Sequence, residues 1–191
     1  MDTPFLGRPA AVSDLATSMQ TLSGTSLIDQ FGMEYFQAAS VFGAVSPTAI
    51  AFLLDRGRVL ELERGEVVYK PGDKGDRFYV ILGGSLSFYQ FYRDEFAYIR
   101  DHAFGEEMGF VAMIALHDRI GKAVAAEHTY LLEISCSLFY ELRKEFPADF
   151  GLFLLNLSRE MARTIREVSN IIVENEIAKR GVSRTAEASL P

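Results

Sequence analysis

The chain has 191 residues, 49% of them apolar and 24% charged, with a formal net charge of −7. That length and apolar content support one domain with a true core plus extra helices and exclude a disordered chain, while the acidic balance argues against broad, charge-driven nucleic-acid binding. The longest apolar run, 109–116, falls short of a membrane span, and one cysteine, Cys136, excludes an internal disulfide and points to a reduced, cytoplasmic protein.

Residues 1–25 mix Pro, Gly, Ser and Thr and are expected to be a flexible leader with one helix from Ala11 to Leu22; they lack the basic start and apolar centre of a signal peptide. From Ser26 to Leu54 apolar residues recur at three and four (Phe31, Tyr35, Phe36; Ile50, Phe52, Leu53, Leu54), which predicts helices. Ser46-Pro47 marks a helix start, with Ser46 as N-cap. After Arg58 the pattern changes. Val59, Leu60 and Leu62 lead through a Glu63-Arg64-Gly65 turn to a strand over Val67–Tyr69, and 71–76 carries two further turns. Phe78–Leu82 is a strand, bent by Gly83-Gly84 and continued by Leu86, Phe88 and Phe91. Arg93-Asp94-Glu95 reads as a hairpin tip returning through Phe96, Tyr98 and Ile99. Ala123–Ala126 and Tyr130–Ile134 complete a set of short strands that predicts an α+β, mainly β fold: an antiparallel barrel or jelly roll.

Pro147 opens a long helix running to about Ile177. Leu154, Leu157, Met161, Thr164, Val168, Ile171 and Asn175 fit an alternating three–four spacing, suited to a dimer seam or a lid. Residues 179–191 read as a disordered tail. The hairpin aromatics alternate in a way that suits barrel and hairpin packing better than a stacking surface for single strands. His102, His117 and His128 fit no metal spacing, and Cys136 lacks a paired His and acid.

The chemistry concentrates in AFGEEMGFVAMIALHDRIGKAVA, residues 103–125. Gly105 permits close backbone approach, and amides at the start of a following helix face an anion favourably. Arg119 could clamp phosphate oxygens and Glu106 accept from a sugar hydroxyl. A helix-capping Glu and a surface Arg explain the same residues, and local chemistry leaves both readings open.

The order of these features resembles the cyclic nucleotide-binding domain, shared by catabolite-activator-type regulators, cyclic-nucleotide-dependent kinases and gated channels. The resemblance covers about 36–175: LERGEVVYKPGDKGDRFYVILGGSLSFY for the first barrel strands, FGE at 104–106 for the phosphate-binding cassette, RIGKAVAAEHTYLLEIS, and LSREMAR at 157–163 for the dimerisation helix. It implies a jelly roll with N-terminal helices over 26–146 and a dimerisation or lid helix over 147–178. Phe104, Gly105, Glu106, Arg119 and Ile120 would line the ligand site, with Thr164, Val168 and Ser169 facing the purine. Glu107 stands where the family has an apolar residue, and Lys122 could add a positive charge or simply point to solvent. The stretch from Glu106 to Arg119 is longer than the family's by about one helical turn, so the cassette helix is expected to gain a turn. The implied function is a non-catalytic sensor of cyclic AMP or cyclic GMP, needing no metal or other cofactor. It would form a homodimer, hinge near Ser137–Phe146 and signal to a protein partner. The residues after the long helix are too few for a winged helix-turn-helix, so neither direct DNA reading nor membrane attachment is expected. A degenerate pocket in a dimeric scaffold, or a sensor of cyclic di-GMP or haem, are the alternatives.

Overall fold

A computed structural model describes residues 20–187, with side chains described through Ile177. Strand β1 (Gln20–Leu22) precedes helices α1 (Gly24–Phe31) and α2 (Met33–Gln37), a 3-10 turn (Ser40–Phe42) and α3 (Pro47–Arg56). The expected helix over 11–22 is corrected at its end: residues 20–22 pair antiparallel with β2 (Arg58–Leu62), and 11–19 lie outside the described residues. At α3 the Ser46 hydroxyl accepts from the Ala49 amide at 3.3 Å, the predicted N-cap.

The strands that follow are β3 (Val67–Tyr69), β4 (Arg77–Gly83), β5 (Ser85–Tyr92), β6 (Glu95–Ala103), β7 (Glu107–Met108), β8 (Gly121–Ala125) and β9 (Thr129–Ser135). They form two antiparallel sheets in the orders β1-β2-β9-β4-β7 and β3-β8-β5-β6, a jelly-roll sandwich. Between the sheets lie Leu60, Leu62, Tyr69, Tyr79, Ile81, Leu86, Met108 and Leu131. The five-stranded sheet is covered on its other face as well. There Val59, Phe78, Val80, Leu82, Leu132 and Ile134 meet Phe36, Phe42, Ile50 and Leu53 from the N-terminal helices and Phe153 and Leu157 from the C-terminal one. Burial on both faces explains why β4 is an unbroken apolar run.

The β5–β6 hairpin extends past this core. Phe88 packs inward, but Tyr89–Tyr98 and Phe91–Phe96 are ring pairs at 5.7 and 4.9 Å, and Tyr92, Phe96 and Tyr98 are exposed.

Helix α5 (Cys136–Glu145) is continuous through all but the last residue of the expected hinge region, Ser137–Phe146. The break falls at Phe146, whose φ of −134° and ψ of 63° separate it from α6 (Pro147–Glu187). Helix α6 thus continues ten residues past its expected end at Ile177, through most of the segment read as a disordered tail. Its first turns are fixed to the domain. Asp149 accepts from the Ser46 amide at 2.6 Å, and Asn156 Nδ2 donates to the Val41 and Gly43 carbonyls at 3.1 and 2.7 Å. Leu157 is fully buried in the helix-side core, so it belongs to the docking face rather than to a free seam. Exposed apolar side chains lie on α6 both before it, at Leu152, Leu154 and Leu155, and beyond it, among them Ile165, Val168 and Ile172.

Candidate functional site

A short cassette links the two sheets: β7, then α4 (Phe110–Ile114), then a loop ending at Arg119. The extra residues do not lengthen the helix. They form the loop Ala115–Asp118, in which Leu116 takes a φ of 56° and is 89% exposed. That residue needs the left-handed conformation unfavourable to a branched side chain, and it ends α4 after five residues.

Arg119 points inward and is 4% exposed. Its backbone is gripped by the 72–73 turn, with its amide donating to the Asp73 carbonyl and its carbonyl accepting from Gly72. Its Nη1 donates to the Gly109 carbonyl at 2.8 Å and its Nη2 to the Arg77 carbonyl. The guanidinium carbon sits 4.3 Å from the Tyr69 ring centroid, a cation–π arrangement. Gly109 takes a φ of 94°, and any side chain there would run into the guanidinium. Arg119 Nε is the one buried side-chain nitrogen or oxygen among the described residues with no hydrogen-bond partner.

The carboxylate that shares this environment is Glu107, where sequence reading expected Glu106. Glu107 is buried, and its Oε2 accepts from the Phe110 amide at 2.9 Å, next to the glycine that carries the guanidinium. This bond also occupies the α4 amide expected to face an anion. Burial pushes the Glu107 carboxyl up to about 7. The Phe110 N–H opposes that shift, the charge of Glu160 on α6 adds to it, and Arg100 and Arg119 oppose it. Glu106 instead turns to β6, accepting from Arg100 Nη2 at 3.2 Å and from the Ala103 amide at 3.1 Å. The same Arg100 reaches Glu167 of α6 at 3.1 Å and donates through Nε to His102 at 3.1 Å. Burial and the Arg100 charge push His102 down to about 4, leaving it neutral.

The remaining expected residues fall in different places. Gly105, at a φ of 82°, lies against the 3-10 turn, where a side chain would strike the backbone of Ala39 and Ser40. Its carbonyl accepts from Val41 N and Ser40 Oγ at 3.1 and 2.8 Å. Phe104 packs on Tyr35 with centroids 4.7 Å apart. Ile120 is exposed. Lys122 takes the outward of its two expected places: it lies on the outer sheet face, between buried Gly121 and Ala123, with its ammonium 4.3 Å from the Phe96 centroid. On α6, Thr164 is half-buried, whereas Val168 and Ser169 are exposed and Ser169 Oγ donates to the Ile165 carbonyl. Sequence reading named Glu107 as a possible site residue but missed Tyr69 and Glu160, which carried no local signal; Glu107 also has the spacing of an acid three residues before the first amide of a helix. The three histidines lie apart, and no group of three or more His, Cys, Asp or Glu among the described residues could hold a metal. No helix among the described residues is long and apolar enough to cross a membrane.

The chain is 26% identical over 132 residues to a lysophospholipase nte1 of Aspergillus fumigatus, which covers 69% of this chain but 8% of that protein. It is 36% identical over 53 residues to a CRP-like cAMP-activated global transcriptional regulator of Mycobacterium tuberculosis, covering 28% of this chain and 24% of the regulator. The chain thus spans only a small part of these curated relatives. A solved cyclic nucleotide-binding domain from Methylobacillus flagellatus KT superposes with a TM-score of 0.71 at 21% identity, over 82% of this chain and 89% of that one. At that identity the likeness is one of fold. The sequence profile of the Cyclic nucleotide-binding domain matches residues 59–146, the stretch that holds both sheets' central strands and the whole cassette. Residues 59–146 of this chain therefore belong to the cyclic nucleotide-binding domain family.

Proposed function

We propose that the domain is a non-catalytic sensor that binds a cyclic mononucleotide in its cassette, with Arg119 on the cyclic phosphate and Glu107 on a ribose hydroxyl. The observation that carries this reading is the buried Arg119 guanidinium with an unpartnered Nε. A buried, charged donor is costly to leave unmade, and a phosphate oxygen is the acceptor that a guanidinium matches best. Glu106 takes no direct part in this reading; it holds Arg100. The long helix carries the signal onward, because Arg100 joins the cassette turn to Glu167 of α6. Its exposed apolar strip at Ile165, Val168 and Ile172 pairs with a second copy, and the output passes to a protein partner. The single exposed Cys136 suits a reduced, cytoplasmic setting.

Titration calorimetry with cyclic AMP, cyclic GMP and cyclic di-GMP tests this. A mononucleotide binds the wild type, and Arg119→Lys and Arg119→Ala weaken it roughly 10- to 100-fold, the value of a charge-assisted hydrogen bond. Lys122→Ala, on the outer face, leaves affinity unchanged. Unaltered affinity in both Arg119 variants, or binding of none of the mononucleotides, overturns the assignment.

A further inference from the structure

Arg119 is gripped at both ends by one short piece of chain, residues 69–73. At its backbone, the Arg119 amide donates to the Asp73 carbonyl at 2.8 Å, and the Gly72 amide donates to the Arg119 carbonyl at 2.9 Å. At its side chain, the guanidinium carbon stands 4.3 Å from the ring centroid of Tyr69, the last residue of β3. The turn between these two grips is closed on itself. The Asp73 carboxylate accepts from the Lys70 amide at 2.8 Å, and the Asp73 amide donates to the Lys70 carbonyl at 3.1 Å. Tyr69 is fixed in turn: it is buried, pairs across the sheet with the buried Ala123 of β8, and stacks on Tyr79 of β4 with centroids 6.2 Å apart. Burial pushes its phenol well above the usual range, so the ring meets the guanidinium as a neutral aromatic. With both Nη atoms donating to the Gly109 and Arg77 carbonyls and the cation over a ring, the guanidinium is held on three sides, and Nε is the donor that remains.

Resting on the cyclic-nucleotide reading, we propose that Tyr69 is a positioning residue for Arg119: its ring, backed by Tyr79, holds the buried guanidinium in place so that Nε is kept for the ligand phosphate. A cation this deep has lost its hydration, and an aromatic face offsets part of that loss without occupying a hydrogen-bond donor. A carboxylate in the same place would neutralise the charge and take the donor that the phosphate needs. A ring leaves both. Because the grip belongs to the barrel, the extra residues before Arg119 are accommodated outward at the exposed Leu116, while Arg119 stays buried.

The test uses the full chain and two readouts. In ligand-free protein, solvent exchange of the Arg119 Nε–H, followed by NMR, is slow in the wild type and in Tyr69→Phe, and roughly 3- to 30-fold faster in Tyr69→Leu, the worth of one cation–π contact. Calorimetric titration with cyclic AMP and cyclic GMP follows the same order: Tyr69→Leu binds roughly 3- to 30-fold more weakly, and Tyr69→Phe, which keeps the ring, restores the affinity. On an Arg119→Ala background Tyr69→Leu costs nothing further, because the ring acts through that side chain. Fluorinated phenylalanines in place of Tyr69 keep the core filled while withdrawing electron density from the ring. Affinity and Nε–H protection then fall with each added fluorine, a series that decides the matter even where the leucine variant does not fold. Unchanged Nε–H exchange in Tyr69→Leu, equal losses in the leucine and phenylalanine variants, indifference to fluorination, or a full Tyr69→Leu loss on the Arg119→Ala background each overturns the role of Tyr69. If neither mononucleotide binds the wild type, the cyclic-nucleotide reading fails, and Nε–H exchange across the ligand-free series still decides whether Tyr69 places Arg119.

Discussion

A buried carboxyl, Glu107, and a largely buried imidazole, His102, sit on the consecutive strands β7 and β6, and their titrations offset each other in the pH dependence of stability. In the folded protein Glu107 is raised from 4.5 to about 7, so between those values the native state binds a proton that the unfolded chain has released, and stability falls as pH rises. His102 is lowered from 6.5 to about 4. Over that interval the unfolded chain binds a proton that the native state refuses, and stability rises with pH. Each slope approaches about 1.4 kcal/mol per pH unit with opposite sign, so between about pH 4.5 and 6.5 they nearly cancel. Glu107→Gln keeps an acceptor for the Phe110 amide while removing the titration. Relative to the wild type it gains stability steadily with pH, by roughly 2–3 kcal/mol from about pH 4.5 to 6.5, where the full slope applies. His102→Gln, which still accepts from Arg100, shows the mirror-image trend. Urea unfolding of the three proteins at half-unit steps measures this directly. A Glu107→Gln curve parallel to the wild type refutes the placement of an uncharged Glu107 in the interior.

Asn156→Leu leaves the Val41 and Gly43 carbonyls without their donor and lowers stability by roughly 2–4 kcal/mol; a loss below about 1 kcal/mol in urea unfolding shows that water replaces the amide and that the apolar face of α6 and its other polar contacts suffice to hold it. Val168→Lys combined with Ile172→Lys places two charges in the exposed apolar strip of α6 and converts a dimer to a monomer in sedimentation velocity. A wild type that is already monomeric, or a variant that remains dimeric, removes the α6 seam.

Strands were legible wherever one face alternates, and β4 was legible because a run buried on both sides has little other reading. The buried carboxylate of the cassette lies one residue beyond the Glu106 to which the sequence pointed. Neighbours in a strand point to opposite faces, so the choice between Glu106 and Glu107 turns on the pairing of β7 with β4, where Glu107 lies opposite Val80, and local motif spacing carries no such register. The same alternation, applied to Gly121, Lys122 and Ala123, already places Lys122 on the outside. The cassette insertion was visible as length, but whether it would extend α4 or bulge at Leu116 depended on backbone conformation. Glu160 was not legible at all. With Arg163 three residues on, it has the pattern of a solvated ion pair, and only the docking of α6 through Asn156 takes it out of water.

The helix-side core has a bearing on what counts as an inheritable module here. The recognised stretch begins at Val59 and stops at Phe146, yet the outer face of its five-stranded sheet is roofed by Phe36, Phe42, Ile50 and Leu53 from upstream and by Phe153 and Leu157 from downstream. Cut at its recognised ends, the segment would keep Phe110, Met113, Leu138, Phe139 and Leu142 of its own against Phe78, Val80, Leu82, Leu132 and Ile134 and would uncover part of that apolar face, a surface that invites aggregation. The piece that can be transplanted between proteins and still fold alone must therefore carry both flanking helical arms, and family boundaries drawn from sequence likeness mark only its middle.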